Sequence, residues 1–285
     1  PSLTRESIEA LSERERERRL RHKYNNIISF ENLLTAWREF LQGKRKRRDV
    51  AEFSLHLTDN ILALHQELVD KTYKHGPYSA FKISDPKPRD IHKATVRDRL
   101  LHHALYRILY PYFDRIFTSD SYSCRKGKGM HKAINSFRKY GRKASRNDTR
   151  TAWILKGDIR KFFANIDHLI LKEIIRKYID DEDIMWLLSE VIDSFSTNNA
   201  YKVGLPLGNL TSQLFINIYM NEFDQFIKHN LKAKYYIRYA DDFVIFSKYK
   251  VYLQNKIPRI SDFLEKRLKL TLHPDKLFIK TLVSG

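Results

Sequence analysis

Two adjacent acids, Asp241 and Asp242, stand between two short runs of aromatic and β-branched residues. Those runs, at 235–239 and 243–246, have the composition of strands, so the pattern predicts a hairpin with the Ala-Asp-Asp segment as its tight turn. Mg²⁺ prefers oxygen ligands and is usually held by one or two protein carboxylates, with water and phosphate completing its shell. The hairpin is therefore typical of a site for a metal ion and a triphosphate. An ordinary polar turn gives the same short pattern, because Asp is common in turns.

A third acid, Asp158, ends another apolar and aromatic run that starts at Ala152. The pattern predicts a strand that ends at Asp158 and lies beside the hairpin, so that Asp158 and Asp241 could share two metal ions about 4 Å apart. Such ions would activate a 3′-hydroxyl and stabilise a leaving pyrophosphate. Asp158 could instead cap a helix that begins at Ile159, which would not exclude metal binding.

The two acidic segments belong to a longer series of motifs. In chain order the motifs lie at 87–91, 98–99, 121–129, 158–163, 204–213 and 239–242. Over about residues 25 to 280 this series resembles the reverse transcriptases. It is most similar to those of diversity-generating retroelements, which are relatives of group II intron and retron enzymes. The resemblance implies an α+β right-hand polymerase fold with fingers and palm.

The resemblance also divides the chain into three parts. Residues 1–50 would form a basic helical N-terminal extension, residues 51–150 the fingers and residues 151–285 the palm. Palm strands are predicted at about 151–159, 233–247 and 276–282. Members of the family continue into a helical thumb, whereas this chain ends at Gly285, so the thumb is expected to be absent or truncated.

Apolar spacing and turn residues outline the remaining elements. Helices are predicted around 33–41, 55–69, 100–109 and 171–178, with Pro111 ending the third of them. Gly and Pro residues punctuate short strand-like runs between 76 and 93, which favours a β-rich fingers element. The segment 204–209 is predicted to be a loop that opens a further helix at Leu210. Charged residues at 13–19 predict a solvated helix or tail, and those at 43–48 a solvated loop or an RNA contact.

The resemblance implies an RNA-directed DNA polymerase, a nucleotidyltransferase that adds deoxynucleotides to a primer 3′-hydroxyl by two-metal catalysis. The cofactor would be Mg²⁺, as two ions, with Mn²⁺ able to substitute. The partners would be an RNA template, a DNA or RNA primer, dNTPs and a small basic accessory protein. The subgroup implies the error-prone enzyme of a diversity-generating retroelement. The alternatives are a retron, group II-like or antiviral-defence enzyme, or a catalytically idle RNA-binding module of the same fold.

The candidate site residues follow from the motifs and the resemblance together. Catalysis is assigned to Asp158, Asp241, Asp242 and Lys276. Metal binding is assigned to Asp158, Ile159, Asp241 and Asp242. Nucleotide contact is assigned to Lys87, Arg89, Ile159, Phe163, Leu207, Gly208 and Gln213. Nucleic-acid contact is assigned to Arg125, Lys126, Lys128 and Asn209.

The resemblance gives individual roles to four of these residues. Arg89 would contact the incoming triphosphate, and Phe163 would be the aromatic gate that excludes a ribose 2′-hydroxyl while Phe162 points to the other face. Lys276 would lie near the leaving pyrophosphate as general acid or electrostatic clamp. Leu207 stands before Gly208 where many reverse transcriptases have Gln, which implies low fidelity. Simpler interpretations are a surface arginine, core aromatics, an exposed loop lysine and a leucine packed under the loop.

The charge of the chain agrees with a nucleic-acid partner. Lys and Arg number 53 against 34 Asp and Glu, which gives a net charge of +19. Such an excess suits a long polyanion, because neutralised phosphates release counterions, although a merely basic protein or one bound to acidic membranes has it too. We find no apolar run of 18 residues and no signal-peptide pattern, so we expect no membrane partner and a cytoplasmic location. The single cysteine, Cys124, excludes a disulfide framework, and the 125–129 loop lacks the spacing of a P-loop.

Overall fold

The computed structural model describes residues 19–84, 88–198 and 200–282. These residues form two compact units. The first unit draws on the described residues of 19–112, 169–195 and 209–211. The second unit draws on the described residues of 113–168, 196–208 and 212–282. The linear division into extension, fingers and palm remains a prediction.

The described helices and strands come in short groups along the chain, beginning with four helices. The α-helices are α1 (Tyr24–Ile28), α2 (Phe30–Phe40), α3 (Arg48–Leu55), α4 (Leu57–Val69), α5 (Val96–Ile116), α6 (Met130–Ser145), α7 (His168–Arg176), α8 (Glu182–Asp193), α9 (Leu210–Gln225), α10 (Lys250–Gln254) and α11 (Ile257–Leu268). The strands are β1 (Ser79–Ser84), β2 (Pro88–Lys93), β3 (Trp153–Asp158), β4 (Tyr235–Tyr239), β5 (Asp242–Ser247) and β6 (Phe278–Thr281). Short 3₁₀ segments cover Phe162–Asn165 and Pro274–Lys276, and Phe226–Asn230 is a π-helical end to α9.

The first unit is mostly helical and has an aromatic core. On α2, Trp37 is buried and its ring lies 5.4 Å from that of Phe40 and 5.1 Å from that of Phe53. These contacts confirm the helix predicted around 33–41. The expected strand-like runs between 76 and 93 are the antiparallel hairpin of β1 and β2.

Two helix boundaries differ from the prediction. The helix expected over 55–69 begins at Leu57, because α3 ends at Leu55 and His56 leaves the helical conformation between them. The helix expected to stop at Pro111 continues to Ile116. Proline removes one backbone hydrogen bond. Pro111 is exposed, however, and buried residues recur on both sides of it, at Leu109 and Phe113, so burial offsets the lost bond.

The second unit is built on a four-stranded antiparallel sheet in the order β4-β5-β3-β6. The three predicted palm strand regions are therefore strands of one sheet. Alternate residues of β5 face opposite sides, as strand geometry requires. Phe246 packs against Phe137 of α6, with ring centroids 4.9 Å apart, whereas Phe243 packs against Phe223 of α9 at 5.2 Å. The sheet thus lies between α6 on one face and α9 with α11 on the other.

Candidate active site

Three carboxylates meet at one end of the sheet of the second unit. The β4–β5 connection consists of Ala240 and Asp241, because Tyr239 and Asp242 are already paired across the two strands. Ala240 has a φ of 56°, the left-handed value that two-residue hairpin turns require. Asp242 is in turn the direct partner of Asp158, the last residue of β3. The predicted turn is therefore one residue shorter than expected, and Asp242 belongs to the strand.

The alternative reading of Asp158 as a helix cap is not what the structure shows. Asp158 ends β3 with 5% of its surface exposed. The next helical segment starts only at Phe162, with Lys161 in front of it in a left-handed conformation. The strand end places Asp158 across from Asp242, so the predicted neighbourhood of the two acidic segments is present.

Two lysines balance part of the negative charge. The Nζ of Lys276 lies 2.9 Å from Oδ2 of Asp158 and donates a hydrogen bond to it, and the Nζ of Lys156 lies 3.5 Å from Oδ1 of Asp242. The hydrogen bond to Asp158 raises the pKa of Lys276, assisted by the charges of Asp241 and Asp242. Lys276 is therefore a cation at neutral pH.

The surroundings of Asp241 disfavour the ionised form of its carboxyl group. Burial is the largest cause that raises the pKa of its carboxyl group, and the negative charges of Asp158 and Asp242 raise it further. Lys276 acts in the opposite direction. The carboxylates thus repel one another even with a lysine among them, which is the condition that a bound cation relieves.

A backbone clamp holds Lys276 beside Asp158. Ile159, which follows Asp158 and is buried, forms an antiparallel bridge with Leu272. The backbone N–H of His273 donates to the carbonyl oxygen of Asp158 at 2.8 Å. The 3₁₀ turn Pro274–Lys276 follows directly, so the chain returns Lys276 to the acid end of β3.

Gly157 gives the Phe243 ring its place next to the acids. The two residues are direct partners across β3 and β5. A β-carbon on Gly157 would lie 2.4 Å from the Phe243 ring, closer than packed carbon atoms can approach. Because Gly157 has no side chain, the Phe243 ring can lie against the backbone of β3. This contact fixes the position of β5 at the residue that follows Asp242.

Sequence reasoning missed the group that braces the acidic turn, which is Arg238. Its side chain is 1% exposed, and its guanidinium donates to both carboxylate oxygens of Asp224 at 2.7 and 2.8 Å. It also donates to the carbonyl oxygen of Ala240 at 2.9 Å, inside the turn, and to Ser121 Oγ at 3.0 Å. A charged residue among the apolar residues of a predicted strand was the available signal, since such residues are rarely buried without a partner.

The neighbourhood of Phe163 forms a second cluster in the second unit. Phe162 is buried, Phe163 is half-buried, and their rings meet edge to face at 5.8 Å, so their pointing to opposite faces stays a prediction. The carbonyl oxygen of Phe163 accepts a hydrogen bond from the N–H of Leu205 at 2.8 Å. The structure thus ties the predicted gate to the loop that contains Leu207, which is half-buried, and Gly208, which is exposed.

The basic loop at 125–129 does not present all of its cations to solvent, as a simple phosphate-binding loop would. The Arg125 side chain is only 5% exposed and donates to Asp114 and to the carbonyl oxygens of Thr118 and Ser121. Lys128 donates to the carbonyl oxygen of Ser119, and Lys126 is exposed. Arg125 therefore holds the loop in shape, and the predicted phosphate contact of this loop stays a prediction.

The remaining assigned residues lie elsewhere. Arg89 is exposed on β2 of the first unit, and Lys87 lies outside the described residues. Asn209 is buried and donates to the carbonyl oxygen of His92 at 2.8 Å, which gives it a structural contact within the first unit. Gln213 is half-buried on α9 in the second unit.

The acid end of the sheet fits an open metal site rather than a closed one. In the part of the chain that the structure describes, no three His, Cys, Asp or Glu side chains are grouped so that they alone could hold a metal ion as a cage. Mg²⁺ does not need such a cage, because it keeps waters and uses one or two carboxylates plus substrate phosphates. The feature of this structure that favours a cation there is the buried position of Asp241 beside two further carboxylates, since burial first and the charges of Asp158 and Asp242 second raise its pKa.

Comparison with known proteins gives a consistent family. The sequence model of the family described as "Reverse transcriptase (RNA-dependent DNA polymerase)" matches residues 80–281. Protein YkfC of Escherichia coli K12 is 27% identical, over 78% of this chain and 68% of its own length. The group II intron-encoded protein LtrA of Lactococcus lactis subsp. cremoris is 29% identical, over 73% of this chain and 34% of its own. An uncharacterized 91 kDa protein in the cob intron of Schizosaccharomyces pombe is 29% identical, over 49% of this chain and 17% of its own.

The share of each relative that the match covers limits what carries over. The chain spans about two thirds of YkfC but about one third of LtrA.

Among the described residues, none of the helices has both the length and the apolar composition of a membrane span.

Proposed function

This chain belongs to the reverse transcriptase (RNA-dependent DNA polymerase) family, a family of nucleotidyltransferases, and on that premise we propose that it extends a primer 3′-hydroxyl with deoxynucleotides on an RNA template. The observation that carries the proposal is the pairing of Asp158 with Asp242 across β3 and β5, with Asp241 in the adjoining turn. The acids of two separate motifs therefore lie beside each other at one end of the sheet.

The acid end of the sheet supplies the groups that phosphoryl transfer needs. Asp158 and Asp241 would hold two Mg²⁺ ions, with Asp242 as a weaker ligand and the backbone of Ile159 next to them. Bound metal ions would lower the pKa of the primer hydroxyl and neutralise the charge of the leaving pyrophosphate. The protein's own contribution is to fix the carboxylates in position, because positioning and electrostatic stabilisation account for most of the rate in this chemistry.

Lys276 is proposed to act on the leaving group. Its pKa is raised, so it keeps its proton at neutral pH and can donate a hydrogen bond or a proton to the pyrophosphate. In the structure the ammonium group donates to Asp158 instead. Lys276 would thus neutralise the acids in the free site and the pyrophosphate of a bound substrate.

Sugar selection is proposed to lie with Phe163. Its ring is half-buried next to the buried Phe162, and its backbone is tied to the 204–208 loop. A ring held in this way could block the space below the 2′-carbon of a nucleotide. Arg89 and Lys87 are proposed to contact the triphosphate, on the strength of the family resemblance.

Primer extension tests the proposed function. The purified chain is supplied with a primer annealed to RNA or to DNA of the same sequence, with dNTPs and Mg²⁺, and the products are sequenced. Template-encoded extension on RNA is the expected result. Binding of the primer–template without any extension, with Mg²⁺ and with Mn²⁺, would instead support the idle RNA-binding module.

For the subgroup, we propose the error-prone enzyme of a diversity-generating retroelement, with a small basic accessory protein as partner. Leu207 supports this, because an aliphatic side chain cannot make the hydrogen bond that the Gln of many relatives can make. Losing such a contact lowers discrimination by about 1–3 kcal/mol, on the order of 10- to 100-fold. The names of the relatives support a group II-like enzyme as the second candidate.

The two candidates differ in their error spectrum. The diversity-generating enzyme is expected to misincorporate often, mainly opposite template adenines, and Leu207→Gln is expected to lower that rate. Leu205→Met, two residues earlier in the same loop, is the matched control and is expected to leave it unchanged. A low and base-independent error rate in sequenced cDNA would favour the group II-like enzyme.

A further inference from the structure

The outer face of α6 carries a cationic groove that none of the catalytic assignments uses. Six residues line the groove, which has a volume of about 480 Å³: Asn135, Arg138, Lys139, Arg142, Lys143 and Asn147. All six are exposed. From residue 130 to residue 147 the sequence contains six Lys and Arg residues and no Asp or Glu.

The four cations of the groove are not there to stabilise the helix. Arg138 and Arg142, and likewise Lys139 and Lys143, are four residues apart, so each pair repels on the helix surface. The helix dipole accounts for cations in the last turn, such as Arg142, but not for those a turn earlier. Within the described residues none of the four lies within ion-pair distance of a carboxylate, whereas many other surface cations of this chain do.

The inner face of the same helix is fully committed to the sheet. Ala133 and Ala144 are buried, and Phe137 packs on Phe246 of β5. A membrane-binding amphipathic helix must offer its apolar face to lipid. Apart from Met130 and Ile134, which are exposed near its start, the apolar side chains of α6 pack against the protein's own sheet. The helix therefore offers lipid no continuous apolar face, and its exposed cationic face suits a polyanion in water.

The groove lies toward the end of the sheet opposite to the acids. Phe246, which contacts α6, is four residues along β5 from Asp242, or roughly 13 Å at the rise of a β-strand. Further cations lie at the same end of the unit, around Tyr249. A hydrogen bond from Lys248, together with the charges of Lys248, Arg150 and Arg146, lowers the pKa of the Tyr249 hydroxyl. Tyr249 is 60% exposed, and an exposed aromatic ring among cations is what stacking with a nucleic-acid base requires.

From these observations we propose that the outer face of α6 is a second nucleic-acid site, which binds the sugar–phosphate backbone of RNA away from the acid end of the sheet. The proposal rests on the proposed function for the identity of the ligand, because an RNA-templated polymerase must hold template that lies outside its reacting duplex. Arg138, Lys139, Arg142 and Lys143 supply the charge, and Asn135 and Asn147 supply amide donors at the two ends of the groove.

A matched pair of variants tests the site. The test variant combines Arg138→Gln, Lys139→Gln, Arg142→Gln and Lys143→Gln. The control variant combines Lys256→Gln, Arg259→Gln, Lys266→Gln and Arg267→Gln, which removes two arginines and two lysines on or next to α11, on the other face of the sheet. The probe is a labelled RNA stem-loop longer than one helical turn, and its Kd is measured over a series of salt concentrations without dNTPs.

The test variant is expected to bind this RNA on the order of 10- to 100-fold more weakly at physiological salt, with a slope of log K against log salt reduced by roughly 3, as the loss of four phosphate contacts requires. The control variant is expected to bind within about twofold of the unchanged chain. Equal losses in both variants, or an unchanged slope in the test variant, would overturn the proposal. Unchanged RNA binding with loss of binding to an acidic peptide or to vesicles of anionic lipid would overturn it too.

Two further measurements keep the result interpretable. Arg138→Lys with Arg142→Lys keeps all four charges and is expected to bind RNA nearly as well as the unchanged chain. Thermal unfolding of every variant is expected to change little, because the four cations on α6 are exposed and the control removes only one exposed ion pair, Lys266–Asp262, and the half-buried Lys256. If the unchanged chain fails to extend primers, the proposed function fails, but the RNA-binding comparison still decides whether the α6 site exists.

Discussion

The hairpin that carries Asp241 and the hairpin that carries Arg89 have the same antiparallel geometry and opposite surroundings. In β4–β5 the side chains of Tyr236, Ile237 and Arg238 are buried, and Arg238 hydrogen-bonds into the turn. In β1–β2 every residue of β1 is exposed, and no residue of β2 is fully buried. The first hairpin is fixed by its interior contacts, whereas the second has few and can open locally at low free-energy cost.

Under the proposed function, the difference would let one chain meet two different demands. Metal-bound catalysis needs carboxylates held in one geometry, and this is what a buried network provides. Contact with an incoming triphosphate needs exposed cations on an element that can adjust to its ligand.

The largest effect is expected from Arg238, the buried arginine that hydrogen-bonds into the acidic turn. Arg238→Met should lower the free energy of unfolding by about 3–5 kcal/mol, because it leaves the buried carboxylate of Asp224 without its cation and, among the described residues, with only the Tyr236 hydroxyl as donor. Arg89→Met, the matched change on the exposed hairpin, should alter it by no more than about 0.5 kcal/mol. Urea unfolding of both variants checks this. Equal destabilisation would remove the contrast between the two hairpins.

A smaller loss of stability is expected at Gly157. Gly157→Ala should cost about 1–3 kcal/mol, because the new methyl group meets the buried Phe243 ring. Gly141→Ala is the control, since its methyl group would meet only the flexible end of Leu282, at 3.0 Å, and should cost less. Urea unfolding and single-nucleotide incorporation are measured together. Full activity in Gly157→Ala would show that the position of β5 does not set the acid geometry.

The exposed hairpin is expected to matter for substrate and not for stability. Arg89→Ala should raise the KM for dNTP about 10-fold, since one hydrogen bond to a charged group is lost, with an unchanged midpoint of thermal unfolding. Lys82→Ala, on the neighbouring strand β1, is the control and should change neither quantity. Steady-state kinetics check the result. An unchanged KM in Arg89→Ala would show that Arg89 is an ordinary surface residue that does not contact the triphosphate.

The smallest effect is expected from relief of repulsion at Asp241. Its pKa is raised in the folded chain, so its ionised form is less favourable there than in the unfolded chain. Asp241→Asn should therefore raise the midpoint of thermal unfolding at neutral pH, in the absence of divalent metal. The gain should shrink as the pH falls through the raised pKa, and should vanish below the ordinary Asp value of 3.8, where both forms are neutral. A gain that does not depend on pH would point to packing instead of charge.

Short-range patterns were sufficient to predict the chemistry-bearing strands. The aromatic and β-branched runs around Asp158 and Asp241 lie on neighbouring strands as expected, because alternation and turn residues act locally. The helix boundary at Pro111 was wrong, because burial on both sides of the proline depends on residues far away in sequence. The Arg238–Asp224 pair was missed because its acid lies 14 residues earlier, on α9, and the local pattern marks only a charged residue in an apolar strand without naming its partner.

The central claim is that Asp158 and Asp241 hold the metal ions for nucleotide transfer while other surfaces hold the RNA. The most direct test is single-nucleotide incorporation over a Mg²⁺ series with Asp158→Ala and Asp241→Asn, together with the RNA Kd of each variant. The prediction is a loss of incorporation of at least about 10³-fold in both, equivalent to the several kcal/mol that metal ions supply, with RNA affinity within about twofold of the unchanged chain. Incorporation by either variant within about tenfold of the unchanged chain would contradict the assignment of the site.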